Sequence, residues 1–242
     1  MLFYGGGFFQ YLLFMLPVMA LTMWAQWRVK SVYTQYSQVR NQQGLTGARA
    51  ARMLLDSQGL SFVAIEELPG AAALDNHYDP RDRTLRLSPE VANSPSVAAL
   101  GVAAHECGHA VQHAQRYAPL QLRTSIVPVA NVGSNLGVWL VSIGMMLFVF
   151  TRFTGAVWLI WAGVGLFAVA TIFALLTLPV EVNASSRAMA LLQSTGLIDR
   201  TEYGQARSVL NAAAWTYVAG LAAAVATLLY YVMLASGMTR RR

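Results

Sequence analysis

The chain has 242 residues, of which 56% are hydrophobic and only 12% charged, with a mean hydropathy of +0.45. A soluble domain carries about 25% charged residues, which argues against a water-soluble globule. Seventeen basic residues, sixteen of them arginine, against eleven acids leave a net charge of +6, and with so apolar a composition this points to a lipid bilayer rather than nucleic acid as partner.

Four stretches contain no charge at all: residues 1–27, 124–151, 153–180 and 208–239. Each exceeds the ~20 residues needed to cross a bilayer as a helix, and spans are expected near 8–27, 128–150, 154–178 and 213–236. No base precedes the first span, whereas Arg28 and Lys30 follow it. That is the order of an uncleaved anchor with its N-terminus outside, not of a signal peptide. The positive-inside rule then puts residues 28–127, with ten Lys or Arg, in the cytoplasm. The expected organisation is a transmembrane anchor over 1–27, a cytoplasmic domain over 28–127, a transmembrane hairpin over 128–178, a cytoplasmic helical segment over 179–212, and a last membrane helix with a basic tail over 213–242. Arg240, Arg241 and Arg242 make that last segment fit the rule poorly, so it either spans against the rule or is re-entrant or interfacial. Gly133 and Gly137 give the second span a small-xxx-small packing face. The spans hold no ionisable side chain, which argues against a pump, transporter or channel.

Between the first two spans the pattern is that of a soluble domain. Residues 29–40 continue the first helix, 46–58 form a short helix stopped by Gly59, and 61–67 form a strand. The turn Asp79-Pro80-Arg81-Asp82 precedes a second strand over 84–88. Ser94-Pro95 opens a helix, with serine as cap and proline at the first position, running to about Gln115. The fold class expected is a mainly α membrane protein with about four spanning helices and a small α+β cytoplasmic domain.

That last helix contains His105-Glu106-Cys107-Gly108-His109, an H-E-x-x-H motif. At 100° per residue His105 and His109 lie about 40° apart and one turn along, so both imidazoles can reach one Zn²⁺. Glu106, at the flank of that face, is placed as a general base for water polarised by the metal. Cys107 faces away from the pair, and His113 lies about 12 Å along the axis from His105, too far to share the ion. His77, on a loop between the strands, is a candidate substrate contact. A catalytic zinc needs a third protein ligand. The H-E-x-x-H-x-x-G-x-x-H arrangement is excluded, because Gln112 and Gln115 occupy its glycine and third-histidine positions. Glu181 directly follows the third span, on the same side as His105. Asp199 and Glu202 lie beyond the helix-ending Gly196, so Glu181 is the favoured ligand.

The stretches Asn76-His77-Tyr78-Asp79-Pro80, Leu85-Arg86-Leu87-Ser88, HECGHAVQH and Leu178-Pro179-Val180-Glu181-Val182-Asn183-Ala184-Ser185 resemble the YugP-like neutral zinc metallopeptidases of bacterial membranes. The resemblance covers essentially the whole chain and extends more distantly to the HtpX-like membrane proteases. It implies a gluzincin-type, zincin-like endopeptidase of the inner membrane, with one Zn²⁺ on His105, His109 and Glu181 and with Glu106 as base. In the more distant proteases an acidic residue usually stands four positions after the ligand glutamate. Here that residue is Ser185, and Asn183 or Ser185 is expected to orient a ligand more weakly. Arg187 points off that face in a regular helix and is a candidate substrate or structural contact.

The activity expected is hydrolysis of unfolded or membrane-proximal protein segments at the cytoplasmic face, with the strand near 84–87 binding substrate as an added strand. The competing readings are a catalytically silent zinc-bound scaffold and an intramembrane site-2-type protease. Neither a homo-oligomer nor a membrane protein partner can be read from the sequence.

Overall fold

The computed structural model describes residues 7–70, 72 and 75–239, with side chains from residue 11 onward. The elements are α1 (Gly7–Ser37), α2 (Gly47–Ser57), β1 (Ala64–Glu67), β2 (His77–Asp79), β3 (Thr84–Leu87), α3 (Pro89–Asn93), α4 (Val97–Ala114), α5 (Ala118–Thr151), α6 (Ala156–Ser194) and α7 (Arg200–Thr239). The fold is mainly helical with a small mixed sheet. Four helices, α1, α5, α6 and α7, are long and apolar enough to cross a membrane. α7 is one continuous helix through the last apolar stretch, and the arginine triplet at 240–242 lies outside the described residues.

The chain divides into two compact units. One holds residues up to 24, 122–178 and 217 onward; the other holds 25–121 and 179–216. In the first, α5 and α6 approach closely along glycines. A Cβ on Gly137 would meet the Gly163 carbonyl oxygen at 2.9 Å, and one on Gly163 would meet the Gly137 carbonyl oxygen at 2.7 Å. Side-chain-free contact of this kind is how apolar helices associate where no water drives them together.

The second unit is built on a conventional apolar core. α2 buries Gly47, Ala50, Ala51, Leu54 and Leu55, one face at i, i+3, i+4, i+7 and i+8 spacing. Thr46 caps its start by accepting from the Arg49 N–H. Gly59, at a φ of +70°, turns the chain out of it. Arg52 then donates to the carbonyls of Val63 and Leu60, fixing the approach to β1. The expected strand over 61–67 is shorter than the pattern suggests, because residues 61–63 are taken up in that turn.

The sheet order is β1-β3-β2, with β1 parallel and β2 antiparallel to β3. Two expectations change here. His77 belongs to β2, paired with Arg86, and not to a loop. β3, the strand expected to take substrate, is the central strand and has both edges paired, so no further strand can join it. The cap of the H-E-x-x-H helix also shifts. Ser96, not Ser94, accepts from the Ala99 N–H and starts α4, while Ser94 ends the short helix α3 that precedes it. α4 buries thirteen of its eighteen residues against this unit and is not among the four helices able to span a membrane.

Candidate metal centre

α4 presents His105 and His109 one turn apart, and α6 presents Glu181 between them. His105 Nε2 stands 3.2 Å and His109 Nε2 3.4 Å from Glu181 Oε2, and the three candidate ligand atoms lie within 4.8 Å of one another. Glu181 is 3% exposed, and a buried carboxylate of this kind needs close partners. A tetrahedral zinc with bonds of 2.0–2.1 Å separates neighbouring ligand atoms by about 3.3 Å. The two observed separations fit that edge, and two imidazoles with one carboxylate are a donor set that zinc favours. Burial lowers the basicity of His109, but its hydrogen bond to Glu181 and the charges of Glu106 and Glu181 outweigh this and hold its pKa above the ordinary value.

Each ring has a partner on its other nitrogen. His105 Nδ1 is 3.1 Å from Ser185 Oγ. His109 Nδ1 is 3.0 Å from Gln112 Oε1. Asn183 therefore touches neither ring: its Oδ1 accepts from Gln112 Nε2 at 2.9 Å and from Arg187 Nε at 2.7 Å. Arg187 folds back along its helix to make that bond, reaches Gln115 Oε1 with Nη1, and stacks on Tyr117. Its side chain thus joins the network behind the histidines although the residue is six positions past Glu181.

Glu106 is buried, and its Oε2 accepts the backbone N–H of Tyr78 at 3.0 Å. The Tyr78 phenol lies 2.9 Å from His113 Nδ1, so this one residue of β2 contacts both Glu106 and a histidine two turns beyond His105. Tyr78 and Gln112 are the two functional candidates that reading the motif missed. A glutamine three residues after the second histidine of the motif, on the same helix, was a signal for the second; the first depends on strand pairing and had none. His77 itself is exposed, and no side-chain contact joins it to the cluster among the described residues. Cys107 is fully buried against the Ala51 carbonyl, and burial pushes its thiol pKa up.

The rival acids are used elsewhere. Asp199 Oδ1 accepts the Glu202 N–H and Glu202 Oε2 accepts the Asp199 N–H, a reciprocal cap on α7, and Glu202 Oε1 also holds the Gln42 N–H.

Two histidines and a buried glutamate, brought together from α4 and α6, form a cluster able to hold a metal ion. The chain belongs to the family described as "Putative neutral zinc metallopeptidase", whose model matches residues 11–236. It is 43% identical over 219 residues, 90% of this chain and 93% of the relative, to the "Putative membrane protease YugP" of Bacillus subtilis (strain 168). No solved structure matches it.

Proposed function

We propose that this protein is a membrane-bound, zinc-dependent endopeptidase in which His105, His109 and Glu181 hold one Zn²⁺ and Glu106 is the catalytic base. The observation that carries the reading is the convergence of His105, His109 and Glu181 beside a glutamate fixed by a backbone N–H. Zinc, when bound, supplies Lewis-acid polarisation of the scissile carbonyl and of the attacking water. Glu106 takes a proton from that water as its oxygen adds to the carbonyl carbon. It passes the proton to the amide nitrogen as the C–N bond breaks, leaving a carboxyl and an amino terminus. The Tyr78 N–H holds Oε2 of Glu106, so Oε1 carries the proton. Water reaches the reacting atoms from the side on which His105 and His109 remain part-exposed.

An extended substrate lies along the outer side of β2, next to Glu106, rather than joining the doubly paired β3. Substrates of this kind are unfolded or locally extended protein segments. The ten bases of residues 28–127 and the three of 179–212 support a location of this unit on the cytoplasmic face of the inner membrane. Since Glu181 immediately follows an uncharged stretch, segments close to the membrane are the natural targets.

The test is to purify wild type, Glu106→Gln and Glu181→Ala and to measure bound zinc and cleavage of an unfolded protein. The expected result is zinc kept but cleavage lost in Glu106→Gln, and zinc binding weakened in Glu181→Ala. Equal cleavage by all three overturns the reading, and zinc bound without cleavage by wild type replaces it with a zinc-bound scaffold.

A further inference from the structure

We propose that Gln112 is a positioning residue that sets His109 for metal binding and ties the two halves of the centre together. The proposal rests on the zinc-peptidase reading above. Gln112 is 0% exposed, and a buried primary amide must have its donors and acceptor matched. Its Nε2 donates to the Val180 carbonyl at 2.8 Å and to Asn183 Oδ1 at 2.9 Å.

Neither contact can be reversed. A backbone carbonyl only accepts, so the amide NH₂ must face Val180. Asn183 Oδ1 is itself fixed as an acceptor, because Arg187 Nε donates to it at 2.7 Å and a guanidinium cannot accept. Both anchors therefore turn Oε1 of Gln112 towards His109 Nδ1, 3.0 Å away. An oxygen acceptor at Nδ1 requires the ring proton there. With the Nδ1 proton held by that acceptor, Nε2, 3.4 Å from Glu181 Oε2, is the ring nitrogen that gives up its proton to a metal, and the imidazole then binds as the neutral ligand.

His105 lacks this arrangement, because the Ser185 hydroxyl beside its Nδ1 can donate or accept. Gln112 also bonds the carbonyl of Val180, the residue before Glu181. One side chain of α4 thus orients a ligand on its own helix and grips the backbone that carries the ligand on α6. Arg187 and Asn183 act behind it by holding its orientation.

The experiment uses full-length protein in detergent, with zinc affinity measured by chelator competition and the site geometry by the visible absorption of the Co²⁺-substituted protein. Gln112→Met keeps side-chain length without either hydrogen-bonding group. It is expected to bind zinc about 10–100-fold more weakly, the range for losing the partner of a ligand histidine, and to shift the cobalt bands. Asn183→Ala, which keeps the Val180 anchor, is expected to show a smaller loss in the same direction. A role confined to folding lowers the melting temperature of the metal-free protein and leaves the cobalt spectrum of the folded fraction as in wild type. Wild-type affinity with an unchanged spectrum in Gln112→Met overturns the proposal, and if that variant does not fold, the same result in Asn183→Ala does. His109→Ala separates the two levels. Metal retained there at wild-type affinity overturns the ligand assignment and this proposal together, whereas metal lost there but kept in Gln112→Met overturns this proposal alone.

Discussion

A Cβ on Gly108 would stand 2.4 Å from the carbonyl oxygen of Ala184. Gly108 precedes His109, and Ala184 lies three residues after Glu181. The backbone contact between α4 and α6 at this point is therefore what lets two imidazoles and a carboxylate share one small volume. Gly101, two turns earlier on α4, is different: an added Cβ there would meet the Ala206 side chain at an ordinary 3.5 Å.

Gly108→Ala should therefore force the helices apart, lowering stability by about 1–3 kcal/mol as overpacking does and zinc affinity by roughly tenfold or more, since the ligands separate. Gly101→Ala should leave both unchanged or gain up to about 1 kcal/mol from helix propensity. Thermal unfolding and zinc content of the two purified variants measure the contrast. Equal behaviour would mean that the Gly108 contact does not set the site.

The bond from the Tyr78 N–H to Glu106 separates two roles of one residue. Tyr78→Phe removes only the phenol beside His113 and should leave cleavage of an unfolded protein within a few-fold of wild type. Tyr78→Pro removes the N–H at an edge strand, where proline is tolerated if the ladder does not need that donor. It should reduce kcat by about tenfold or more, out of the 10²–10⁴ that a positioned base contributes, with bound zinc retained. Steady-state kinetics and metal analysis decide, and matching losses in the two variants would place the effect on the ring instead.

Asp79 gives the second unit an acid-sensitive tie. Hydrogen bonds from the Arg81 side chain and backbone, with the charges of Arg81 and Arg86, outweigh its burial and hold its carboxyl well below the ordinary value of 3.8. A depressed carboxylate stabilises the fold fully above its unfolded pKa and loses that contribution as pH falls through the folded one. Asp79→Asn should melt below wild type at pH 5–7 and converge with it as the pH drops below 3.8. Parallel curves across that range would show that the pairing adds nothing.

The buried thiol allows a test of sidedness. Cys107, 0% exposed and with its thiolate disfavoured, should resist maleimides in the native protein and react only in denaturant. Ser61 is exposed in the same unit. A cysteine placed there should react with an impermeant maleimide in inverted vesicles and stay silent in intact cells. The opposite pattern would put this unit outside.

The apolar runs and the H-E-x-x-H spacing were both readable along the chain, because each depends on neighbours within a span or a turn. Glu181 was also within reach, since so few acids follow Glu106 that order along the chain narrowed the choice. The partners that hold these residues were not. The pairing of β2 with β3 joins segments through a turn, and only their register shows that His77 lies on a strand and that β3 has no free edge. Local spacing put Arg187 off the face of Glu181, yet its long side chain returns to Asn183. Gln112 looked like a mere break in a histidine motif until Val180 and Asn183 were packed against it. The sequence by itself determined which chemical groups this protein has and which helices carry them. The tertiary structure alone decided which lone pairs and N–H groups meet, because a hydrogen bond across 68 residues, from Gln112 to Val180, has no periodicity to announce it.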